Sequence, residues 1–106
     1  MDEPDAATRE RPLRRLLIVG GSGYLGRALM ARAGPEWDAT GTRHSQATAG
    51  PELDVRDRGA VDRLLAELRP AVVVNTAYLQ SADEMESVNV AGAGHVAAAA
   101  TAAGAR

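Results

Sequence analysis

The sequence contains no lysine, so all 12 of its basic residues are arginines. It also lacks cysteine and phenylalanine, and aromatic residues make up 3% of the chain. Without lysine, every mechanism that needs a compact side-chain ammonium is excluded, because arginine presents a rigid planar fork. Without cysteine there are no disulfides, no thiolate catalysis and no cysteine-based metal site, which fits the reducing cytoplasm that we expect as its location.

Charge and apolar-run length argue against two further classes of protein. The formal net charge of -2 gives no electrostatic reason to expect binding to nucleic acid or to an anionic membrane surface. Residues 1–12 have no apolar core and do not form a signal peptide, and the alanine-rich tail has no apolar run long enough to span a bilayer. We therefore expect a disordered lead-in over residues 1–13 and one folded unit over residues 14–106.

A glycine-rich turn separates an apolar run at residues 16–19 from a helical pattern at residues 24–33. In a dinucleotide-binding unit the first glycine of such a turn allows a sharp exit from the strand, and the second allows a pyrophosphate to approach the backbone. The third lets the helix pack closely on the sheet. The helix also directs its positive end at the same point, so the turn predicts an anion site. The residues predicted to bind a cofactor here are Gly20, Ser22, Gly23, Tyr24, Leu25 and Gly26.

Strand and helix patterns alternate along the rest of the chain. We predict strands over residues 16–20, 37–42, 53–55 and 71–76, and helices over residues 24–33, 60–68 and 81–103. Asp57 can cap the second helix, and Ser81 with Glu84 forms a capping-box pattern before the third. This alternation predicts a Rossmann-type parallel sheet with helices on both faces. In a doubly wound arrangement the four strands would lie in the order 3-2-1-4, and the chain would end where a fifth strand should begin.

In this order and spacing the motifs resemble the N-terminal part of an extended short-chain dehydrogenase/reductase. The matching pieces are the glycine turn, LDV at residues 53–55, RP at 69–70, VVVNTAY at 72–78 and VNVAG at 88–92. Within that superfamily the chain is most similar to the dTDP-4-dehydrorhamnose reductase-like sugar-nucleotide reductases. The resemblance implies a partial NAD(P)-binding domain, with a sugar nucleotide as substrate only if the C-terminal half is supplied.

The resemblance assigns the adenine of the cofactor to Asp54 and Val55, with the carboxylate accepting a hydrogen bond from the adenine amino group. The alternative is that Asp54 merely caps or solvates the end of a strand. The resemblance also places Asn75, Thr76 and Ala77 beside the nicotinamide ribose, although the same residues read equally well as a core strand that ends in a turn.

Two later residues receive roles from the same resemblance. Tyr78 would border the active-site cleft. Asn89 matches the helix asparagine that the superfamily uses in its proton relay, and the alternative is an ordinary exposed polar residue on a helix.

The choice between the two nicotinamide dinucleotides is predicted from the end of the second strand. An NAD-selective site places an acidic residue there to bond the ribose 2′-hydroxyl, but residues 40–45 read TGTRHS and contain none. Arg43 can instead bind a 2′-phosphate with its planar fork, so we expect NADP rather than NAD. The alternative is that Arg43 is a solvated loop charge. His44 can assist, and the positions of His44 and His95 do not support a metal site.

The catalytic pair of the family has no counterpart in the chain. Tyr78 and Tyr24 are followed four residues later by Ala82 and Ala28, where the Tyr-x-x-x-Lys pattern requires lysine. Without that lysine the general acid lacks the group that lowers its pKa, so we expect this chain alone to be inactive as an enzyme.

Three interpretations remain open at this point. The chain is the cofactor-binding half of a reductase, a non-catalytic NADP-binding regulatory or partner module, or a fragment without function. The outer edge of the strand at residues 71–76 would have no following strand to pair with, so we also expect self-association through that edge.

Overall fold

The computed structural model describes residues 13–44, 50–77 and 85–106. In chain order the elements are β1 (Arg14–Val19), α1 (Tyr24–Arg32), β2 (Trp37–Gly41), α2 (Arg58–Leu68), β3 (Val72–Asn75), a π-helical segment (Ser87–Gly92) and α3 (Ala93–Ala102). None of the helices in this part of the chain is long and apolar enough to cross a membrane. Residues 1–12 and the capping-box pair Ser81 and Glu84 lie outside the described residues, so the expectations for them stay predictions.

The three described strands form one parallel sheet in the order β2-β1-β3. β1 lies at its centre, where Leu16 is in register with Ala39 of β2 and with Val72 of β3. Because β1 has a strand on each side and helices packed on the sheet, Leu17 and Val19 are each only 1% exposed. The predicted Rossmann-type parallel α/β fold is confirmed, with the first, second and fourth predicted strands in their expected places.

The predicted strand at residues 53–55 is wrong as a strand. In its place a single parallel bridge joins Arg43 to Glu52 just beyond the end of β2. The chain then turns at Asp54. The Asp54 side chain accepts a hydrogen bond from the backbone N–H of Arg56 at 3.0 Å, and the backbone carbonyl of Asp54 accepts one from the backbone N–H of Asp57 at 3.0 Å. A carboxylate that bonds its own backbone two residues on competes with extended pairing. Of the predicted strand order 3-2-1-4, the described sheet therefore has the order 2-1-4, and the predicted third strand is missing from it.

Helix α2 forms as its pattern predicts, and its apolar side packs into the main core. The Asp57 carboxylate caps it by accepting from the backbone N–H of Ala60 at 3.1 Å. Val61 and Leu65 are fully buried. The core that they enter joins β1, α2 and α3 with the segment after β2, and its buried members are Leu17, Val19, Leu53, Val55, Val61, Leu65, Val88, Val96, Ala99 and Ala100.

The last predicted helix is not a uniform α-helix. Its described part begins with two α-helical residues, Met85 and Glu86, and continues as the π-helical segment, which leads directly into α3. Gly92, the last residue of the π-helical segment, packs so closely on the chain that a Cβ there would lie 2.6 Å from Cγ2 of Val55. A wider turn at this point marks a local departure from regular helical packing, which apolar spacing alone does not predict.

The outer edge of β3 is partly paired, which corrects the expectation of a bare edge. The backbone N–H of Val73 donates to the carbonyl of Arg106 at 2.6 Å, and the N–H of Arg106 donates to the carbonyl of Ala71 at 3.0 Å. This is the bonding pattern of a parallel strand pair. Nothing in the structure supports the self-association that was expected from this edge.

Two glycine substitutions test how the helices are packed. A Cβ at the buried Gly26 would overlap the carbonyl oxygen of Gly20, whereas a Cβ at Gly94 would have no neighbour within 4 Å. We expect Gly26→Ala to lower the free energy of unfolding by about 1–3 kcal/mol through overpacking. Gly94→Ala should raise it by about 0.5–1 kcal/mol through helix propensity. Urea denaturation measures both, and an unchanged Gly26→Ala protein would contradict the described contact of α1 with β1.

Candidate functional site

The carboxyl ends of the three parallel strands meet at one edge of the sheet, where ligands bind in open α/β folds. β1 continues there into the glycine turn, and β2 continues into Thr42 and Arg43. β3 ends beside them and continues into Thr76 and Ala77. The topology therefore brings together three of the segments that the sequence analysis singled out.

Hydrogen bonds to both neighbouring strand ends hold the glycine turn in place. Gly20 has a φ of 84° and donates its N–H to the hydroxyl oxygen of Thr42 at 2.9 Å. The Thr76 hydroxyl donates to the carbonyl of Val19 at 2.7 Å, and the N–H of Gly23 donates to the carbonyl of Gly20 at 3.0 Å. The amides of Gly20 and Gly23 are therefore used within the protein, and the role of the turn in binding an anion stays a prediction.

Backbone N–H groups without a helical partner are found in the first turn of α1. Gly23 is the N-cap of this helix and supplies no capping side chain, and the first turn carries no acidic residue. The backbone N–H groups of Tyr24 and Leu25 come next, and such groups have no partner inside a helix. Their side chains are 89% and 57% exposed, so these residues can contribute to a site through the backbone rather than the side chain. Together with the helix dipole this end of α1 suits a phosphate.

Space for that phosphate exists above Gly23. A Cβ built on Gly23 would meet only the Gly20 carbonyl oxygen, at 3.4 Å, which is ordinary van der Waals contact. No described residue therefore requires a glycine at this position for packing. At Gly26, by contrast, a Cβ cannot fit, so Gly26 is required by the fold and Gly23 is not.

A cavity of about 240 Å³ opens beside the turn. Its lining includes six of the predicted cofactor-binding residues, namely Gly20, Gly23, Asp54, Val55, Thr76 and Ala77. The remaining lining residues are Val19, Thr42, His44, Leu53 and Val88. A cleft that is mostly apolar and has a few polar groups at its rim is the usual form of a small-molecule site.

Asp54 is the charged group of this cavity, and it is held ionised. Nε and Nη2 of Arg56 donate to its two carboxylate oxygens at 2.9 and 2.8 Å, and His44 Nε2 lies 3.5 Å from Oδ2. Hydrogen bonds from the Arg56 side chain are the largest cause that lowers the pKa of Asp54, to about 2, although partial burial opposes the shift. The carboxylate therefore remains an acceptor throughout the neutral range.

Arg43 does not line this cavity. Its Nε donates to the carbonyl of Gly50 at 3.2 Å, and its Nη1 lies 3.4 Å from the carboxylate of Glu52. Gly50 in turn borders a second cavity of about 400 Å³ on the α1 side of the glycine turn, together with Ser22 and Arg27. Ser22 and Arg43 thus lie near the end of β2 and not beside Asp54.

The predicted residues Asn75 and Asn89 do not line the cavity beside the glycine turn. Asn75 uses its side-chain oxygen to accept from the N–H of Ala77 at 3.0 Å, and so shapes the turn after β3. Asn89 is half-buried in the π-helical segment, one residue after Val88 of the cavity lining. Tyr78 lies outside the described residues, so its role stays a prediction.

Sequence reasoning missed Thr42 and Arg27. Thr42 is the one buried polar side chain in the described part of the chain, at 2% exposure, and it anchors the glycine turn. Its signal was a hydroxyl-bearing residue where β2 ends, directly before Arg43. Arg27 borders the second cavity from the first turn of α1. The sequence feature that could have identified it is a cationic residue four positions after Gly23.

No group of three or more metal-binding side chains is found among the described residues. His44 lies against Asp54, and Nδ1 of His95 lies 2.9 Å from the carbonyl of Val55. Each histidine is thus engaged with a different part of the same short segment.

Comparison with known proteins gives these features a family context. The family model described as RmlD substrate binding domain matches residues 14–106. The dTDP-4-dehydrorhamnose reductase of Streptomyces griseus is 41% identical over 104 residues, which cover 89% of this chain and 32% of that protein. The chain thus spans about a third of the length of this relative. These matches confirm the resemblance that the motifs indicated.

Solved structures agree with the fold. The dTDP-4-dehydrorhamnose reductase of Bacillus anthracis in complex with NADP has a TM-score of 0.78 at 25% identity, covering 92% of this chain and 35% of that one. The Bordetella bronchiseptica enzyme WbmH in complex with NAD+ has a TM-score of 0.69 at 21% identity, covering 87% and 36%. The second likeness shows the fold alone. The two proteins carry different nicotinamide dinucleotides, so they do not decide between NADP and NAD here.

The role of Gly23 predicts a separation of binding from folding. We expect Gly23→Val to abolish dinucleotide binding, because the side chain would occupy the space through which a phosphate reaches the first turn of α1. Its helix content by circular dichroism should stay close to that of the wild type, since no described atom blocks the new Cβ. Cofactor fluorescence measures the binding. Retained affinity in Gly23→Val would show that the turn is not a phosphate site.

The ion pair of Asp54 predicts a measurable titration. An NMR titration of the Asp54 carboxyl should give a midpoint of about 2 in the wild type and one near the ordinary 3.8 in Arg56→Met. Because the folded-state pKa lies below the unfolded value, this group stabilises the fold above about pH 4 and loses that effect as pH falls towards 2. The advantage of the wild type over Asp54→Asn should therefore shrink across that window. A wild-type midpoint near 3.8 would contradict the described pairing.

Proposed function

The chain belongs to the RmlD substrate-binding domain family, and on that premise we propose that it is the NADP(H)-binding part of a sugar-nucleotide reductase. The observation that carries the proposal is the cavity at the carboxyl ends of the strands, bordered by a glycine turn with open space above Gly23. That opening fits a bound dinucleotide, since it is the place where a pyrophosphate must approach the backbone.

In the proposed complex the pyrophosphate accepts hydrogen bonds from the amides of Tyr24 and Leu25. The adenine lies in the cavity between Val55 and the glycine turn, and its amino group donates to the carboxylate of Asp54. That carboxylate is suited to the role because hydrogen bonds from Arg56 keep it ionised and oriented. The nicotinamide ribose lies beside Asn75, Thr76 and Ala77, at the carboxyl end of β3.

The preference for NADP rests on Arg43 and its present partner. Glu52 has a side chain that is 66% exposed, and an ion pair between exposed groups contributes only about 0–1 kcal/mol. A 2′-phosphate offers Arg43 two or more charged oxygens in a geometry that matches its fork, so exchange of Glu52 for phosphate is favourable. Ser22 lines the neighbouring cavity and lies on the path of such a phosphate.

When bound, the nicotinamide ring supplies the hydride chemistry. The chain contributes binding and orientation to this reaction, and Asn89 on the π-helical segment is the residue that we propose for a proton relay. Protonation by a tyrosine with a lysine four residues later needs a lysine, and this chain contains none. We therefore propose that sugar-nucleotide binding and turnover depend on additional protein sequence; the Streptomyces griseus relative is about three times as long as the matched part.

Cofactor titration tests the proposal and the role of Arg43 together. We expect wild-type protein to bind NADP more tightly than NAD in calorimetry. Arg43→Ala should weaken NADP about ten- to hundredfold, the effect of losing charge-assisted hydrogen bonds, and leave NAD nearly unchanged. Arg63→Ala, an exposed arginine on α2, is the charge-matched control and should change neither affinity.

In the same titration, Glu52→Gln should change the affinity for NADP in the opposite direction to Arg43→Ala. Removing the competing carboxylate should strengthen NADP binding by up to about fivefold, because the exposed pair is worth no more than that. Equal affinity for the two cofactors, or a preference that survives in Arg43→Ala, would show that Arg43 is not the selecting residue. Binding of neither cofactor to the wild type would contradict the proposed function itself.

A further inference from the structure

Two residues of the final helical stretch contact one residue of the cavity rim. His95 places Nδ1 2.9 Å from the carbonyl oxygen of Val55, and Gly92 lies so close that a Cβ there would be 2.6 Å from Cγ2 of Val55. Residues three apart lie on one face of a helix, so both contacts come from the same side. Val55 itself is 5% exposed and forms part of the core.

The tautomer of His95 follows from its partner. A carbonyl oxygen can only accept, so the hydrogen bond requires a proton on Nδ1 of His95. A carbonyl within a nearly buried residue needs such a donor, because an unpaired buried carbonyl is costly. The half-buried ring of His95 therefore satisfies a backbone group that no strand partner satisfies among the described residues.

The segment around Val55 depends on this support because it lacks a strand ladder. The last backbone bond to the chain after β2 runs from the N–H of Leu53 to the carbonyl of Arg43, at 2.7 Å. Beyond it, Asp54 has local hydrogen bonds with Arg56 and Asp57 and a longer contact with His44, at 3.5 Å. Local bonds fix the shape of a turn, but they do not fix its distance from the rest of the protein. The contacts of Gly92 and His95 with Val55 supply that constraint.

The same helical stretch also borders the cavity directly. Val88, in the π-helical segment, is 6% exposed and lines the cavity, as do Asp54 and Val55. The distance between the helix and residues 54–55 thus sets the width of the cavity. A change in how His95 holds Val55 is a change in the site.

We propose that His95 is a positioning residue for the adenine-binding segment, acting through its Nδ1–H bond to the Val55 carbonyl while Gly92 sets the approach of the helix. This inference rests on the proposed function, because it takes Asp54 and Val55 as the adenine site. His95 is not among the residues that line the cavity, and its hydrogen bond is to Val55, so we expect it to affect affinity for the adenine half of the cofactor and not the choice between NADP and NAD.

A pair of substitutions separates the hydrogen bond from simple packing. His95→Asn keeps a side-chain N–H close to the position of Nδ1, whereas His95→Leu keeps bulk and removes the donor. We expect His95→Leu to weaken binding of NADP, NAD and 2′,5′-ADP by similar factors of about three- to tenfold, the range for one lost hydrogen bond. His95→Asn should restore most of the affinity. Gly94→Ala, on the same helix with open space around it, is the control.

Hydrogen exchange tests the positioning without any ligand. The amides of Arg56 and Asp57, which bond to Asp54, should exchange faster in His95→Leu than in the wild type and at a near wild-type rate in His95→Asn. Unchanged exchange and unchanged affinities in a folded His95→Leu protein would overturn the inference, as would equal behaviour of the two variants. If the wild type bound no dinucleotide, the proposed function would fail, and the exchange rates would still decide whether His95 holds this segment.

Discussion

The contact between Gly26 and the carbonyl of Gly20 is the constraint on which the site depends. It lets the first turn of α1 lie directly on the exit of β1, closer than any side chain would allow. The start of the helix is thereby held next to the turn that bonds to Thr42 and Thr76. A second close approach works in the same way: a Cβ at Gly21 would lie 2.5 Å from Cα of Gly41. Two backbone-to-backbone contacts therefore place three strand ends around one opening.

Electrostatics at the site is arranged in short local pairs. Asp54 is bonded by Arg56, two residues later, and Arg43 by Glu52, on the other side of the bridge between them. The two pairs differ in strength for a physical reason. The backbone N–H, Nε and Nη2 of Arg56 all donate to a carboxylate that is 34% exposed, whereas Glu52 is mostly in solvent and meets Arg43 at 3.4 Å. The Asp54 carboxylate is therefore held more firmly than the Glu52 carboxylate.

Sequence reasoning worked where a local signal determines a local structure. The apolar run of β1, the Asp57 cap and the glycine spacing each depend on a few neighbouring residues, and the structure has all three. Sequence reasoning failed at residues 53–55. Their apolar–acidic–apolar pattern is typical of a strand, but the Asp54 side chain bonds to the backbone of Arg56 and forms a turn. Apolar pattern does not record such competition between a side chain and a strand partner.

Contacts between residues distant in the chain were beyond sequence reasoning for a different reason. The bond from Gly20 to Thr42 spans 22 residues and that from His95 to Val55 spans 40, and neither leaves a periodic trace. Each bond nevertheless attaches a segment of the cavity to a well-packed element. The first attaches the glycine turn at Gly20 to Thr42 at the end of β2, and the second attaches Val55 to the final helix. The residues of the glycine-rich motif border the cavity, but Thr42 and His95, which lie outside that motif, hold the bordering segments in place. A motif can therefore identify the ligand class, whereas the width of the cavity, and with it affinity, depends on these unmarked long-range contacts.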